Sequence, residues 1–146
     1  MKKGPPIKYW SYSSLMSYLR NPLAWYKTYV EKVYDTPSGP ASCIGRAGHK
    51  ALEHFYLGAS KEEALEKGRE YLKNVQDVEI NFGVAKTKTA KKKKRAQMER
   101  EYEQAVNFYL ARPPRHKVLG VEEVGLAHVE GLPLPVKAVS DLVVES

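Results

Sequence analysis

The chain has 146 residues, 42% of them hydrophobic, and a net charge of +7 at pH 7, which is the size of one ordinary domain with a single core. Its one cysteine, Cys43, excludes an intrachain disulfide and a four-thiolate metal cluster. The opening MKKGPPIKYW holds no apolar run of signal-peptide or membrane-spanning length, so we expect a cytoplasmic protein with no membrane partner.

The positive charge is concentrated in one stretch. Residues 86–95, KTKTAKKKKR, contain seven basic residues and no acidic one, and the 17 basic residues elsewhere balance the 17 acidic residues of the chain. Such a run is commonly a solvated, mobile segment, because like charges repel one another. It also suits contact with a DNA backbone, since each lysine that neutralises a phosphate releases counterions. The candidate DNA-binding residues are Lys86, Lys88, Lys91, Lys92, Lys93, Lys94 and Arg95.

The first part of the chain predicts a flexible arm over residues 1–10 and then two short helices. Serines from Ser11 onward are suited to cap a helix that runs to about Arg20. Asn21 followed by Pro22 predicts a corner and a second helix to about residue 30. The aromatic residues here are expected in the core, with stacking on a nucleic-acid base as the alternative.

A turn over residues 35–40, DTPSGP, precedes the stretch CIGRAGHKALEHFY, residues 43–56. Its apolar residues recur at three- and four-residue steps, which predicts a helix with one buried face. His49 falls at the edge of that face, near Glu53. It is either an ordinary helix contact to Glu53 or a residue that reaches a cleft.

The rest of the chain predicts more helix and then a hairpin. A capping box at Ser60 opens a helix, residues 77–95 are predicted as an exposed loop, and another helix follows from about Met98 to residue 112. Valine-rich stretches at about 117–145 predict two paired strands that belong to a larger sheet. The expected fold class is mixed α and β (α/β), with helices over about 11–112 followed by the β-hairpin. An open sheet edge would admit self-association or another protein chain.

Five short motifs occur in a set order: Ser11-Tyr12-Ser13-Ser14-Leu15, the Asn21-Pro22 corner, Gly45-x-x-x-His49, Val121-Glu122, and Val139-Ser140-Asp141-Leu142-Val143. In this order, over about residues 11–145, the chain resembles the RecB-like and Cas4-like exonuclease branch of the PD-(D/E)XK nuclease superfamily. The resemblance implies an incomplete restriction-endonuclease-like core. It also implies a DNA substrate and a setting in repair, phage recombination or CRISPR adaptation.

By the same resemblance, His49 and Asp141 are the metal ligands, with Glu122 as a nearby acidic residue that shapes the catalytic site. Carboxylate oxygens bind Mg²⁺ or Mn²⁺, and an imidazole supplements them more readily for Mn²⁺. The competing interpretations are a solvent-facing strand-end residue for Asp141 and the polar half of an alternating strand for Glu122. Asn21 stands where some relatives have a cluster-binding cysteine, so no iron–sulfur cluster is expected.

The D/E-x-K motif of the family is missing, and so is its later Q-x-x-x-Y helix. No aspartate or glutamate has a lysine two positions later, so the D/E-x-K strand is absent from these residues. We therefore expect the front portion of a metal-dependent DNA exonuclease, separated from the rest by truncation, a frameshift or a split gene, with little cleavage by itself. The alternatives are a non-catalytic DNA-binding or assembly module, and a nuclease that another chain completes.

Overall fold

The computed structural model describes residues 5–33 and 36–145, and over these residues it forms helices followed by a two-stranded sheet. The elements are α1 (Tyr12–Arg20), α2 (Pro22–Trp25) with a π-helical continuation (Tyr26–Val30), α3 (Pro40–Tyr56), α4 (Lys61–Asn74), α5 (Lys88–Ala111), β1 (Val118–Ala127) and β2 (Val136–Val144). The predicted mixed fold class is confirmed. The described residues divide into two compact units, 5–33 with 122–143, and 36–121 with 144–145.

Side-chain caps set the helices of the first unit. The Ser11 hydroxyl accepts a hydrogen bond from the Ser14 amide, and the Ser14 hydroxyl accepts one from the Ser11 amide, so α1 begins with two satisfied donors. Asn21 caps α2 through the Ala24 amide at 3.2 Å, with Pro22 in the first helical position. The helix–corner–helix prediction is confirmed. The π-helical continuation was not predicted.

An aromatic cluster forms the interior of the first unit. The rings of Trp10 and Trp25 stack with centroids 5.6 Å apart, and Tyr18 meets Trp25 edge to face at 5.1 Å. Trp10 also joins the sheet, because its amide donates to the Pro135 carbonyl at 2.8 Å and its carbonyl accepts from the Lys137 amide. The prediction that the aromatic residues build core is confirmed for Trp25, which is buried, and Trp10 is half-buried beside it. It was wrong for Tyr12, Tyr18 and Tyr26, which are exposed. Residues 1–4 of the predicted flexible arm lie outside the described residues.

The two strands form the predicted hairpin. Eight residues, 128–135, connect β1 to β2, which is too short for a parallel crossover, so the strands are antiparallel. At the outer ends, the Glu145 amide donates to the Lys117 carbonyl at 2.9 Å. Gly131 takes a φ of 85° in the connection, a conformation that glycine adopts without strain.

The second unit is built where α3, α4 and α5 pack together. Ala47 and Ala51 of α3 and Tyr102 of α5 are fully buried, and Gly68 of α4 lies against Ala47 and Tyr102. The Tyr102 hydroxyl donates to the Leu65 carbonyl at 2.7 Å, which satisfies the one polar group that this ring buries. Small residues let the three backbones approach closely, so α3 is held firmly in place. The capping box at Ser60 is present as predicted.

The predicted loop over residues 77–95 was wrong in its second half. Helix α5 begins at Lys88, ten residues before the predicted start, and Thr87 caps it by accepting from the Ala90 amide at 3.1 Å. Lysine and arginine are good helix formers, and their aliphatic stems cover apolar surface even where their charges repel. The Lys91 ammonium lies over the Phe82 ring, 5.5 Å from its centre, in a cation–π contact.

Among the described helices, none combines the length and the apolar character that crossing a bilayer requires.

Candidate metal centre and basic helix

An acidic pair lies in the first unit, on the two strands of the hairpin. Glu122 belongs to β1 and Asp141 to β2, and a carboxylate oxygen of each residue lies within 4.8 Å of one from the other. Both side chains are exposed. Antiparallel pairing produces this approach, because residues on neighbouring strands that face the same side of a sheet come within side-chain reach. The hairpin thus brings together Asp141, a metal ligand predicted from the resemblance, and Glu122, the predicted nearby acidic residue of the catalytic site.

The backbone at Glu122 is strained. Its φ is 52°, in the left-handed region that non-glycine residues seldom adopt, and it is an interior residue of a strand. This conformation costs on the order of 1 kcal/mol or more for a side chain with a Cβ. Strained backbone positions of this kind cluster at active sites and ligand-binding sites. The strained position coincides with one carboxylate of the pair, so it is a structural sign of function that no sequence pattern indicated.

The chemistry of the pair suits a hard divalent cation. Two carboxylates close together repel each other, and a cation between them converts that repulsion into attraction. Oxygen donors are the ligands that Mg²⁺ and Mn²⁺ prefer. The residues present therefore fit such an ion, because the Glu122 and Asp141 carboxylates lie close enough together to bind one.

His49 lies in the second unit, on α3, and its side chain is exposed. The carboxylate of Glu53, the predicted helix neighbour of His49, lies 3.2 Å from the Lys50 ammonium. Helix α3 is anchored on its buried face by Cys43, Ala47 and Ala51. The imidazole is thus carried by a rigid element, which is the support that a precise ligand needs. Its role as a metal ligand remains a prediction.

The predicted DNA-binding residues divide into two groups. Lys86, Lys88, Lys92 and Lys93 are exposed. Arg95 is partly buried and has structural contacts: one guanidinium nitrogen, Nη2, donates to the Leu72 carbonyl at 2.8 Å, and Nη1 lies 3.5 Å from an Asp77 carboxylate oxygen. Lys91 and Lys94 are also half-buried. The surface available to a phosphate backbone is therefore narrower than the seven-residue run, and its helical part is the outer face of the first turns of α5.

Of three comparisons with known proteins, one found a match. A family model of the PD-(D/E)XK nuclease superfamily matches residues 9–146, all but the first eight residues of the chain. Searches of the curated proteins and of the solved structures found no match. Enzymes of this superfamily generally use divalent metal ions, which the carboxylate chemistry of the hairpin suits. The chain belongs to the PD-(D/E)XK nuclease superfamily.

Proposed function

We propose that this chain carries the metal site and part of the DNA-binding surface of a metal-dependent DNA nuclease of the RecB-like exonuclease type. The observation that supports this most strongly is the approach of the Glu122 and Asp141 carboxylates to within 4.8 Å in a member of a nuclease superfamily. The ordered motifs from Ser11 to Asp141 support the RecB-like branch.

Glu122 and Asp141 hold Mg²⁺ or Mn²⁺ in this proposal, and His49 is the third ligand. The carboxylates supply charge and hard oxygen donors, while the imidazole binds through a nitrogen lone pair and only in its neutral form. When bound, the ion lowers the pKa of a water molecule and stabilises negative charge on the phosphodiester. Because the ligands must be deprotonated, metal binding weakens as the pH falls.

Cleavage by the chain alone is expected to be weak. The 146 residues contain no acidic residue followed two positions later by lysine. In the family, that carboxylate completes the metal site and the lysine positions water or stabilises charge. A site with three protein ligands and no such lysine binds the ion but lacks part of the catalytic apparatus. Another chain that supplies the missing strand would complete it.

Metal binding is the direct test. Titration of the purified chain with Mn²⁺, followed by electron paramagnetic resonance of the free ion, is expected to give one site. Asp141→Asn, Glu122→Gln and His49→Ala are each expected to weaken that site by at least about tenfold, since even residues that only support metal ligands cost this much when they are changed. Glu123→Gln is the matched control, because this neighbouring glutamate on β1 is also exposed and carries the same charge.

Two results would contradict the proposal. If Glu123→Gln weakens Mn²⁺ binding as much as Glu122→Gln does, the ion responds to diffuse negative charge. If none of the three ligand changes matters while DNA still binds in the presence of EDTA, the chain is a DNA-binding module without metal chemistry. The exposed lysines at the start of α5 are the observation that favours this second function.

A further inference from the structure

A cavity of about 600 Å³ lies within the first unit, beside the N-terminal end of α1. Two apolar residues of the arm form part of its wall, and the remaining lining residues are Lys8, Tyr9, Ser11, Ser14, Tyr29 and Lys32. The volume is in the range of protein pockets that enclose small organic ligands. No role was predicted for this cavity, because Lys8 and Lys32 are far apart in the sequence and belong to no motif.

The described residues that line the cavity carry only positive charge. Among the described residues that line the cavity there is no aspartate or glutamate, and neither Lys8 nor Lys32 forms an ion pair with any described residue. Both lysines are exposed. Two ammonium groups at one concavity without a carboxylate attract an anion.

The hydroxyl groups of the wall are already engaged. The Ser11 and Ser14 side chains are within 3.1 Å of each other, and each also accepts a hydrogen bond from the other residue's amide. They form a rigid wall and leave the lysines as the strong donors to a ligand. The Tyr29 ring lies at 6.4 Å from that of Trp25, with an angle of 30° between the planes, so it is supported by the aromatic core.

Backbone conformation adds a second sign of function at the same place. Lys32 has a φ of 56°, and it follows the π-helical segment Tyr26–Val30 after one residue. Glycine and asparagine are the usual residues in this conformation after a helix, so lysine is held there at a cost. Segments of π-helix are also frequent at functional sites.

We propose that this cavity binds one nucleotide of a single DNA strand, with Lys8 and Lys32 contacting phosphate and the tyrosine rings contacting the base. The inference rests on the proposed function, which makes DNA the partner of this chain. Phosphate oxygens match the two ammonium groups, and a flat base matches an aromatic wall. The Lys137 ammonium, 4.6 Å from the Tyr9 ring centre, adds a third positive charge near this wall.

The test measures strand binding in EDTA, so that the metal site takes no part. Fluorescence anisotropy of a short labelled oligothymidylate is followed against salt concentration for the whole chain. Lys8→Ala/Lys32→Ala is expected to weaken binding about fivefold to tenfold. The slope of log K against log salt is expected to fall by about 1.4, because each phosphate neutralised on a single strand contributes about 0.7. The control Lys61→Ala/Lys67→Ala removes the same charge from α4 and is expected to leave the slope nearly unchanged.

Two further experiments separate the contribution of the base from that of the phosphate, and the binding role of Lys32 from a structural one. An abasic strand of equal length is expected to bind more weakly than oligothymidylate, and free thymidine monophosphate is expected to compete only at much higher concentration than the strand. Lys32→Gly removes the charge and permits the left-handed backbone, so it is expected to weaken strand binding without lowering the melting temperature. That combination separates a binding role for Lys32 from a structural one.

The outcomes also separate this inference from the metal proposal. If the α4 control weakens strand binding as much as the cavity variant, or if the abasic strand binds equally well, the nucleotide site is refuted even where Mn²⁺ binds as expected. If free thymidine monophosphate binds as tightly as the strand, the ligand is a free nucleotide and the strand assignment is wrong. If Mn²⁺ binding fails while Lys8→Ala/Lys32→Ala still weakens strand binding, the metal proposal fails and the cavity assignment stands.

Discussion

Replacing Gly68 by alanine tests the packing that holds α3, the helix of His49, against its neighbours. A Cβ atom built at Gly68 would lie 1.9 Å from the Tyr102 hydroxyl oxygen and 2.7 Å from the Ala47 carbonyl oxygen, whereas real Cβ contacts are essentially never under 3.0 Å. The Tyr102 ring is fully buried and the Ala47 oxygen is backbone, so neither yields easily. Either α4 moves away or the ring leaves its place.

The free energies give the expected size of the effect. Overpacking a core costs about 1–3 kcal/mol. Displacing the Tyr102 hydroxyl from the Leu65 carbonyl leaves buried polar groups unsatisfied, at about 1–3 kcal/mol. Alanine is the better helix former, so replacing glycine in a helix raises the free energy of unfolding by about 1 kcal/mol. The expected net loss is therefore about 3 kcal/mol, a large part of the stability of a domain of this size.

Urea unfolding followed by circular dichroism at 222 nm measures the loss. Gly45→Ala is the control, since this exposed glycine of α3 has nothing within 4 Å of its built Cβ and alanine there is expected to stabilise by about 1 kcal/mol. In the double variant Gly68→Ala/Tyr102→Leu the two losses are expected to be less than additive, because the smaller side chain makes room. A Gly68→Ala chain as stable as the wild type would refute this account of the helix packing.

Three other perturbations probe separate parts of the molecule. Glu122→Gly is expected to abolish Mn²⁺ binding without lowering the melting temperature in EDTA, because glycine removes the strain at this φ; a clear loss of stability would show that the Glu122 side chain has a structural role. Burial raises the pKa of Tyr102 from 10.0 to about 12, so its contribution to stability is complete below pH 10 and is lost as the pH rises from 10 to 12. Burial and a hydrogen bond to Tyr109 also raise the pKa of Tyr56 to about 12, so in an absorbance titration at 295 nm Tyr102→Phe is expected to reduce the amplitude near pH 12 without abolishing it, and an undiminished amplitude would contradict the assignment. Lys88→Ala/Lys92→Ala/Lys93→Ala is expected to keep the helix content. It is expected to reduce the slope of log K against log salt for duplex DNA by up to about 2.7, because each phosphate neutralised contributes about 0.9. An unchanged slope would show that these lysines do not contact the duplex.

Local chemistry in the sequence was enough to predict most helix starts and the hairpin. The caps at Ser11, Asn21 and Ser60 lie where the sequence predicts them, because a cap depends on one side chain and an amide three residues away. The start of α5 was predicted wrongly for the opposite reason. The lysine run has no apolar period of its own, and the Phe82 ring and the Leu72 carbonyl that receive Lys91 and Arg95 come from elsewhere in the chain.

The sequence by itself determined where the positive charge is concentrated, and its resemblance to a nuclease family predicted which residues hold a metal ion. Only the tertiary structure decided that Glu122 and Asp141 approach each other and that Glu122 is strained. It also decided that Lys8 and Lys32 share one cavity. The physical reason is that the pairing register of two strands and the packing of the arm depend on contacts between residues far apart in the chain, whereas residue type, periodicity and caps are local.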